Sequence, residues 1–187
     1  SSFAWRMSEE SWFKDSFGFV DNFKLRGSVG LTALTSGLPA YFFLNRLTFI
    51  ENAAVIGGVN VNGLNTSNPA NINLTWAKSL QYNAGFDLNL WNGLLGLEFD
   101  VFYKYIYDMP AAVSSTYPDS FGGYVYGYEN SNKQDHKGFE FNLTHQKRIG
   151  DFSYNVGVNG TFAKRRWLKY NDSENTPDWL KLTGKEV

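Results

Sequence analysis

Along most of this chain apolar and polar residues alternate with a period of two, which predicts extended strands with one apolar and one polar face. From Phe23 to Thr32, Phe23, Leu25, Gly27, Val29 and Leu31 share one face, opposite Lys24, Arg26, Ser28 and Thr32. Leu74 to Leu90 repeats the pattern, with Leu74, Trp76, Leu80, Tyr82, Ala84, Phe86, Leu88 and Leu90 opposite Gln81, Asn83, Asp87 and Asn89. Asn92-Gly93 then supplies the pair of positive φ angles that a type I′ hairpin turn requires. The return strand sets Leu95, Leu97, Phe99, Val101, Tyr103 and Tyr105 against Glu98, Asp100 and Lys104. A second hairpin runs from Gly138 to His145, with Phe139, Phe141 and Leu143 opposite Glu140, Asn142 and Thr144; it turns at Arg148 to Asp151 and returns through Phe152 to Phe162. Ser1 to Met7 reads as part of a further strand, and helical periodicity is hard to find anywhere.

The connections differ in length. Two are tight, whereas Ala33 to Asn73, Tyr107 to Lys137 and a stretch beginning near Lys164 are long, polar and rich in Gly and Asn; Ser8 to Asn22 is intermediate and falls at the tight-turn end. Such loops are too long for a compact soluble domain unless they have a job, but short periplasmic turns and long external loops are the pattern of transmembrane barrels. At ~3.3 Å per residue Leu74 to Leu90 spans roughly 55 Å, while a tilted membrane strand needs only about 9–11 residues, so the wall is expected to project beyond the bilayer. A soluble lipocalin-like barrel or lectin sandwich shares the alternation; the charged polar face and the aromatic strand ends favour the membrane. The expected fold is all-β: an antiparallel up-and-down transmembrane β-barrel segment, about six strands of a larger barrel, with long extracellular loops. Even small membrane barrels need about eight strands, so the chain is expected to form an open, curved sheet with a pairing edge at each end.

Composition narrows the function. Aromatic residues make up 18% of the chain, Gly is abundant and Cys is absent, which suits long pleated strands with aromatic rims and removes disulfides, thiol nucleophiles and Cys-based zinc sites. A net charge of -1 gives no global attraction to nucleic acid. No apolar run approaches the roughly 18 residues of a membrane helix; the longest, Ala53 to Val61, is broken by Gly57, Gly58 and Asn60. The start shows no basic, apolar, small-residue signal, as expected of a chain that begins inside a larger protein.

Several short motifs add a family. Asp21-Asn22 followed by Phe23-Lys24-Leu25-Arg26-Gly27-Ser28-Val29-Gly30-Leu31-Thr32 resembles the strand NLKLRASYGLTG of the SusC-like TonB-dependent outer-membrane transporters. Trp5-Arg6-Met7-Ser8-Glu9-Glu10 upstream, Leu74 to Ser79 with Gln81, Asn83 and Gly85 downstream, Gly138 to Phe141 and the turn Arg148 to Tyr154 are similar to further stretches of that family, in its order. Ala77 departs from the usual Glu and Ala33 from the usual Gly. The resemblance implies that residues 1–187 are part of the barrel domain, from its C-terminal half, with the plug domain and the remaining strands lying outside this sequence. It also implies a SusD-like surface lipoprotein as lid, the TonB complex as energy source through the plug, and a location in the outer membrane of a Gram-negative bacterium.

Candidate chemistry is sparse. Glu98 and Asp100 have the spacing of a carboxylate pair, but with Lys24, Arg26, Asp87, Lys104 and Glu140 they read better as solvated charges facing the barrel lumen. His136 and His145 fit no metal-ligand spacing, and Gly57 to Gly63 opens no helix that would cradle a phosphate. Lys164, Arg165, Arg166 and Lys169, with Trp167 and Tyr170 between them, suit a rim against lipopolysaccharide head groups better than nucleic acid. Tyr117, Phe121, Tyr124, Tyr126 and Tyr128 cluster in one long loop, where flat rings suit sugar faces, and loop packing or a docked partner is the competing use. No catalytic residue, cofactor or metal is expected. The leading expectation is an importer of oligosaccharides or peptides. The alternatives are a barrel segment held as client or structural part of another membrane assembly, and a carbohydrate-binding module without transport.

Overall fold

A computed structural model describes residues 1–35, 41, 44, 47–66, 71–112, 120 and 127–187. Six antiparallel strands form one sheet in the order β1 (Ser2–Arg6), β2 (Val20–Leu34), β5 (Ala77–Leu90), β6 (Leu95–Ala112), β7 (Tyr128–Ile149) and β8 (Phe152–Lys169). Each strand pairs with the next in the sheet, so the path is up and down, interrupted only by a separate hairpin of β3 (Leu47–Ile56) and β4 (Val59–Thr66) between β2 and β5. Among the described residues no ladder joins β1 to β8, and the sheet is open.

The tight connections lie at one end. Residues Trp91 to Leu94 reverse the chain between β5 and β6, with Asn92 and Gly93 at φ 56° and 79° and the Leu94 N–H donating to the Trp91 carbonyl at 3.3 Å. This is the expected type I′ pair, preceded by a third left-handed residue, Trp91 (φ 55°), whose N–H is held by the Phe19 carbonyl at 3.0 Å. The intermediate turn contains a one-turn 3-10 helix, Met7–Glu9, and α1 (Ser11–Ser16), which the strand periodicity hid. Its motif residues act as ties: the Trp5 indole donates to Glu10 (3.1 Å) and Lys14 to Glu9 (2.9 Å). The hydrogen bond and charge of Lys14 hold the Glu9 carboxyl below its ordinary range. Phe13 of α1 is buried and stacks on Phe23, closing the end of the sheet's apolar face.

Several boundaries differ from the sequence expectation. Leu74 to Trp76 lie outside β5, because β6 bulges where Asp108 takes φ 54°. Asn130 holds them instead: its amide accepts from the Thr75 N–H (2.8 Å) and donates to the Thr75 carbonyl (2.7 Å), replacing a strand neighbour. β6 and β7 run farther than expected, and past Tyr107 β6 has no β5 partner, so Pro110 sits where no donor is needed on that side. β8 continues to Lys169, placing Lys164 to Lys169 on a strand rather than in a loop. Within the first long connection, Gly57 and Gly58 (φ 61° and 80°) turn the β3–β4 hairpin, an element the Gly- and Asn-rich composition concealed.

A conventional core is missing. Among the described residues only Phe13, Ala77, Ile106 and Ala111 are buried apolar groups, while Val156, Val158 and Phe162 of β8 remain more than half exposed. Among the described residues only the Phe13 end of the sheet's apolar face is covered by the chain itself, and the remainder would in water cost about 25 cal/mol for each Å² left bare.

Candidate functional site

Directly paired residues of an antiparallel sheet point to the same side, so the register assigns every side chain to a face. The polar face consists of rows that cross the strands. One row is Lys24, Asp87, Glu98, Asn142 and Asn159; the next is Arg26, Gly85, Asp100, Glu140 and Thr161; a fourth holds Gly30, Gln81, Lys104, His136 and Arg165. All seven charges expected to face a lumen, Lys24, Arg26, Asp87, Glu98, Asp100, Lys104 and Glu140, therefore lie on one face.

Arg26 is the hub of that face. Its Nη2 lies 2.8 Å from Asp87 Oδ1 and 2.8 Å from Asp100 Oδ2, and Lys24 approaches Asp87 at 3.9 Å. Arg26 is on β2 and Asp100 on β6, with β5 between them. The pair forms because the intervening residue is Gly85: a Cβ there would run into the Asp100 carboxylate and stand 2.6 Å from the Phe99 carbonyl oxygen. Glu98 accepts from the Asn142 amide at 3.4 Å. Both carboxylates of the Glu98–Asp100 pair are thus engaged by other strands, Glu98 from the adjacent β7 and Asp100 from β2 across β5.

The row between holds Ser28, Asn83, Phe102, Gly138 and Ala163. Phe102 breaks the alternation, an aromatic ring on the charged face, and its tip would be 2.7 Å from a Cβ on Gly138. The tip of the ring therefore reaches over Gly138 of β7, in a groove that Arg26, Asn83, Asp100, Lys104 and His136 also line. Periodicity overlooked Phe102 and both glycines, since their roles depend on which residue of the next strand lies alongside. His136, expected in a loop, is on β7 in contact with Gln134 Oε1 at 3.0 Å; His145, also on β7, stacks on Tyr154 of β8. A groove offering one flat ring, amides and alternating charges can contact a polar, hydroxyl- or amide-bearing solute without enclosing it.

The apolar face is as ordered. Phe23, Phe86, Phe99, Phe139 and Phe162, one from each successive strand, make a diagonal stripe with ring centroids 5.7–6.0 Å apart. Of the aromatic loop residues, Tyr117, Phe121, Tyr124 and Tyr126 lie outside the described residues. Tyr128 begins β7, half-buried, and its carbonyl accepts from the Asn71 amide at 2.9 Å.

Comparison with known proteins agrees with this architecture. The family described as TonB dependent receptor-like, beta-barrel matches residues 4–187. TonB-dependent receptor P3 of Formosa agariphila is 30% identical over 177 residues, covering 92% of this chain and 17% of the receptor; receptor P26 of the same organism is 26% identical over 152 residues, covering 81% and 15%. The chain thus spans less than a fifth of the length of these relatives. Structures of the RagAB peptide importer in its open-open and closed-closed states superpose with TM-scores of 0.75 and 0.71, at 20% and 19% identity, over 89% and 93% of this chain and 17% and 18% of theirs. With its up-and-down antiparallel order and unclosed edge, the chain is a segment of a transmembrane β-barrel and belongs to the TonB-dependent receptor-like β-barrel family, in agreement with the SusC-like motifs of its sequence.

Proposed function

We propose that this chain is part of the wall of an active, TonB-dependent importer in the outer membrane of a Gram-negative bacterium, taking up oligosaccharides or peptides. The observation that carries the reading is the two-sided sheet: an apolar face with its phenylalanine stripe, backed by a face of charges, amides and the Phe102 ring. In a barrel of this family the first face meets lipid and the second lines the lumen, so Lys24, Arg26, Asp87, Glu98, Asp100, Lys104 and Glu140 form part of the passage. Lys24 and Arg26 pair with Asp87 and Asp100, and the three cations nearly balance the four carboxylates, which keeps the wall polar without strong net charge and suits a path that many solutes slide along.

The long connections are external on this reading. The loop carrying Tyr117, Phe121, Tyr124, Tyr126 and Tyr128 contacts either substrate or a lid lipoprotein, and the β3–β4 hairpin supports the lid. Isolated two-stranded hairpins are marginal in water, yet Phe49, Val55, Ile56 and Leu64 of this one are all highly exposed. Energy arrives through a plug and the TonB complex.

Uptake by cells carrying or lacking the whole protein tests the reading, with labelled oligopeptides and oligosaccharides each assayed with and without an uncoupler. Import of one class should require the protein and stop when the proton gradient collapses. Uncoupler-resistant entry, or no difference between strains for either class, would refute active transport.

A further inference from the structure

On the polar face the charges are sorted by height. The rows of Lys24 and Arg26, nearer the tight turns, contain the four carboxylates Asp87, Glu98, Asp100 and Glu140. Farther toward the long-loop end the row Gln81, Lys104, His136 and Arg165 contains none. Arg165 belongs to a basic run, but alternation turns it to the polar side, while Lys164, paired across β7 and β8 with Lys137, and Arg166 point to the apolar side. Lys104 is half-buried and Arg165 exposed, and neither has an ion pair among the described residues. Asp100 is occupied by Arg26 at 2.8 Å, and Glu140 stands four residues along β7 from His136. Adjacent strands lie about 4.8 Å apart, so the two cations flank the His136 ring, which Gln134 holds at 3.0 Å, and leave a local positive potential on the wall. Phe102 stands two residues along β6 from Lys104, on the same face.

We propose that Lys104, His136 and Arg165, with the Phe102 ring beside them, make the passage selective for acidic oligosaccharides, whose sugar rings carry carboxylates. The combination of ring and charge selects this solute. A uronate carboxylate is bonded directly to its sugar ring, so a sugar stacked on Phe102 delivers its charge to the cationic row about 6.6 Å along the strand. Its hydroxyls then meet the amides of Gln81 and Asn83, on the same face of β5. An acidic peptide carries its carboxylates on flexible side chains and would lose rotamer freedom in ordering them. The proposal deepens the transporter reading and rests on it for the polar face being the lumen wall.

The test uses the whole purified protein in lipid nanodiscs, with bound solute counted by native mass spectrometry. Three pools are offered: mixed oligosaccharides from pectate, alginate and hyaluronate, the same pool after reduction of its carboxyl groups to alcohols, and peptides rich in Asp and Glu. Wild type should hold the acidic sugars about tenfold more tightly than either other pool, and added salt should shrink that preference. K104Q/R165Q should abolish it, at roughly threefold for each solvent-exposed cation, while binding of the reduced pool and heat-modifiable migration stay as in wild type; K104R/R165K should keep it. Equal affinity for the acidic and reduced sugars, a preference undiminished by salt or in K104Q/R165Q, or tighter binding of the acidic peptides would overturn the site. A loss of all three pools together in K104Q/R165Q would also overturn it, as the mark of a row that holds the protein's own plug. Each of these results leaves uncoupler-sensitive uptake standing, whereas the absence of such uptake for every pool would refute the transporter reading itself.

Discussion

At the residue scale the polar face depends on a side chain that is absent. Arg26 and Asp100 belong to strands that do not touch, and their ion pair exists because Gly85 leaves the space between them empty. Both partners are about one-third exposed (36% and 31%), so solvent screens the attraction and the pair is worth no more than about 1 kcal/mol. The larger effect is steric. Gly85→Ala should destabilise the whole barrel by about 1–3 kcal/mol, because the new methyl meets the Phe99 backbone as well as a movable carboxylate. Gly27→Ala on the same sheet places its methyl in open space and should stay within ~0.5 kcal/mol of wild type. Urea unfolding from lipid vesicles measures both, and equal losses would show that Gly85 is not a crossing point.

At the element scale, the segment after β8 is fastened by one carboxylate. Asp172 accepts from the N–H groups of Leu182 (2.8 Å) and Thr183 (3.1 Å) and from the Thr183 hydroxyl (2.7 Å). This lets the Trp167 N–H reach the Lys185 carbonyl (3.0 Å) and the Val187 N–H reach the Arg165 carbonyl (2.9 Å), covering the upper edge of β8. Partial burial raises the Asp172 pKa, but these hydrogen bonds, led by the Leu182 N–H, outweigh it and leave the carboxyl below its ordinary 3.8. A depressed folded pKa contributes stability that is complete above the unfolded value and disappears as pH falls through the folded one. Amide exchange at Leu182 and Thr183 should therefore stay slow down to about pH 4 and accelerate below it. In Asp172→Asn it should be faster at neutral pH and lose that acid dependence; an unchanged acid limb in the variant would remove Asp172 from the account.

At the scale of the whole molecule, an open sheet with a bare apolar face makes sense when lipid covers the face and further strands cover the edges. Phe99→Arg, in the middle of the phenylalanine stripe, should then cost on the order of 1–3 kcal/mol, between the values for a bilayer interface and a bilayer midplane. Asn142→Arg, one row away on the polar face, should cost almost nothing and add only a wall charge. Refolding yield and unfolding free energy in vesicles separate the two; similar losses would mean that both faces are packed against protein.

The sequence by itself determined the strands, their two faces and the tight hairpins, because a period of two and an Asn-Gly pair are local properties that no distant contact is needed to produce. It also placed Lys24, Arg26, Asp87, Glu98, Asp100, Lys104 and Glu140 on one side, since alternation within each strand carries that information. Only the tertiary structure decided who stands beside whom. Gly85 beneath the Arg26–Asp100 pair, Phe102 lying over Gly138, the lysines paired across β7 and β8, and Asn130 standing in for a missing strand all follow from register between strands, and register is fixed by bulges and turns in other parts of the chain. The short α1 and the β3–β4 hairpin escaped the sequence for different reasons: α1 is too short to carry a periodic signal and is held by contacts to neighbouring segments, while the hairpin lies within a long connection whose Gly and Asn content reads as loop.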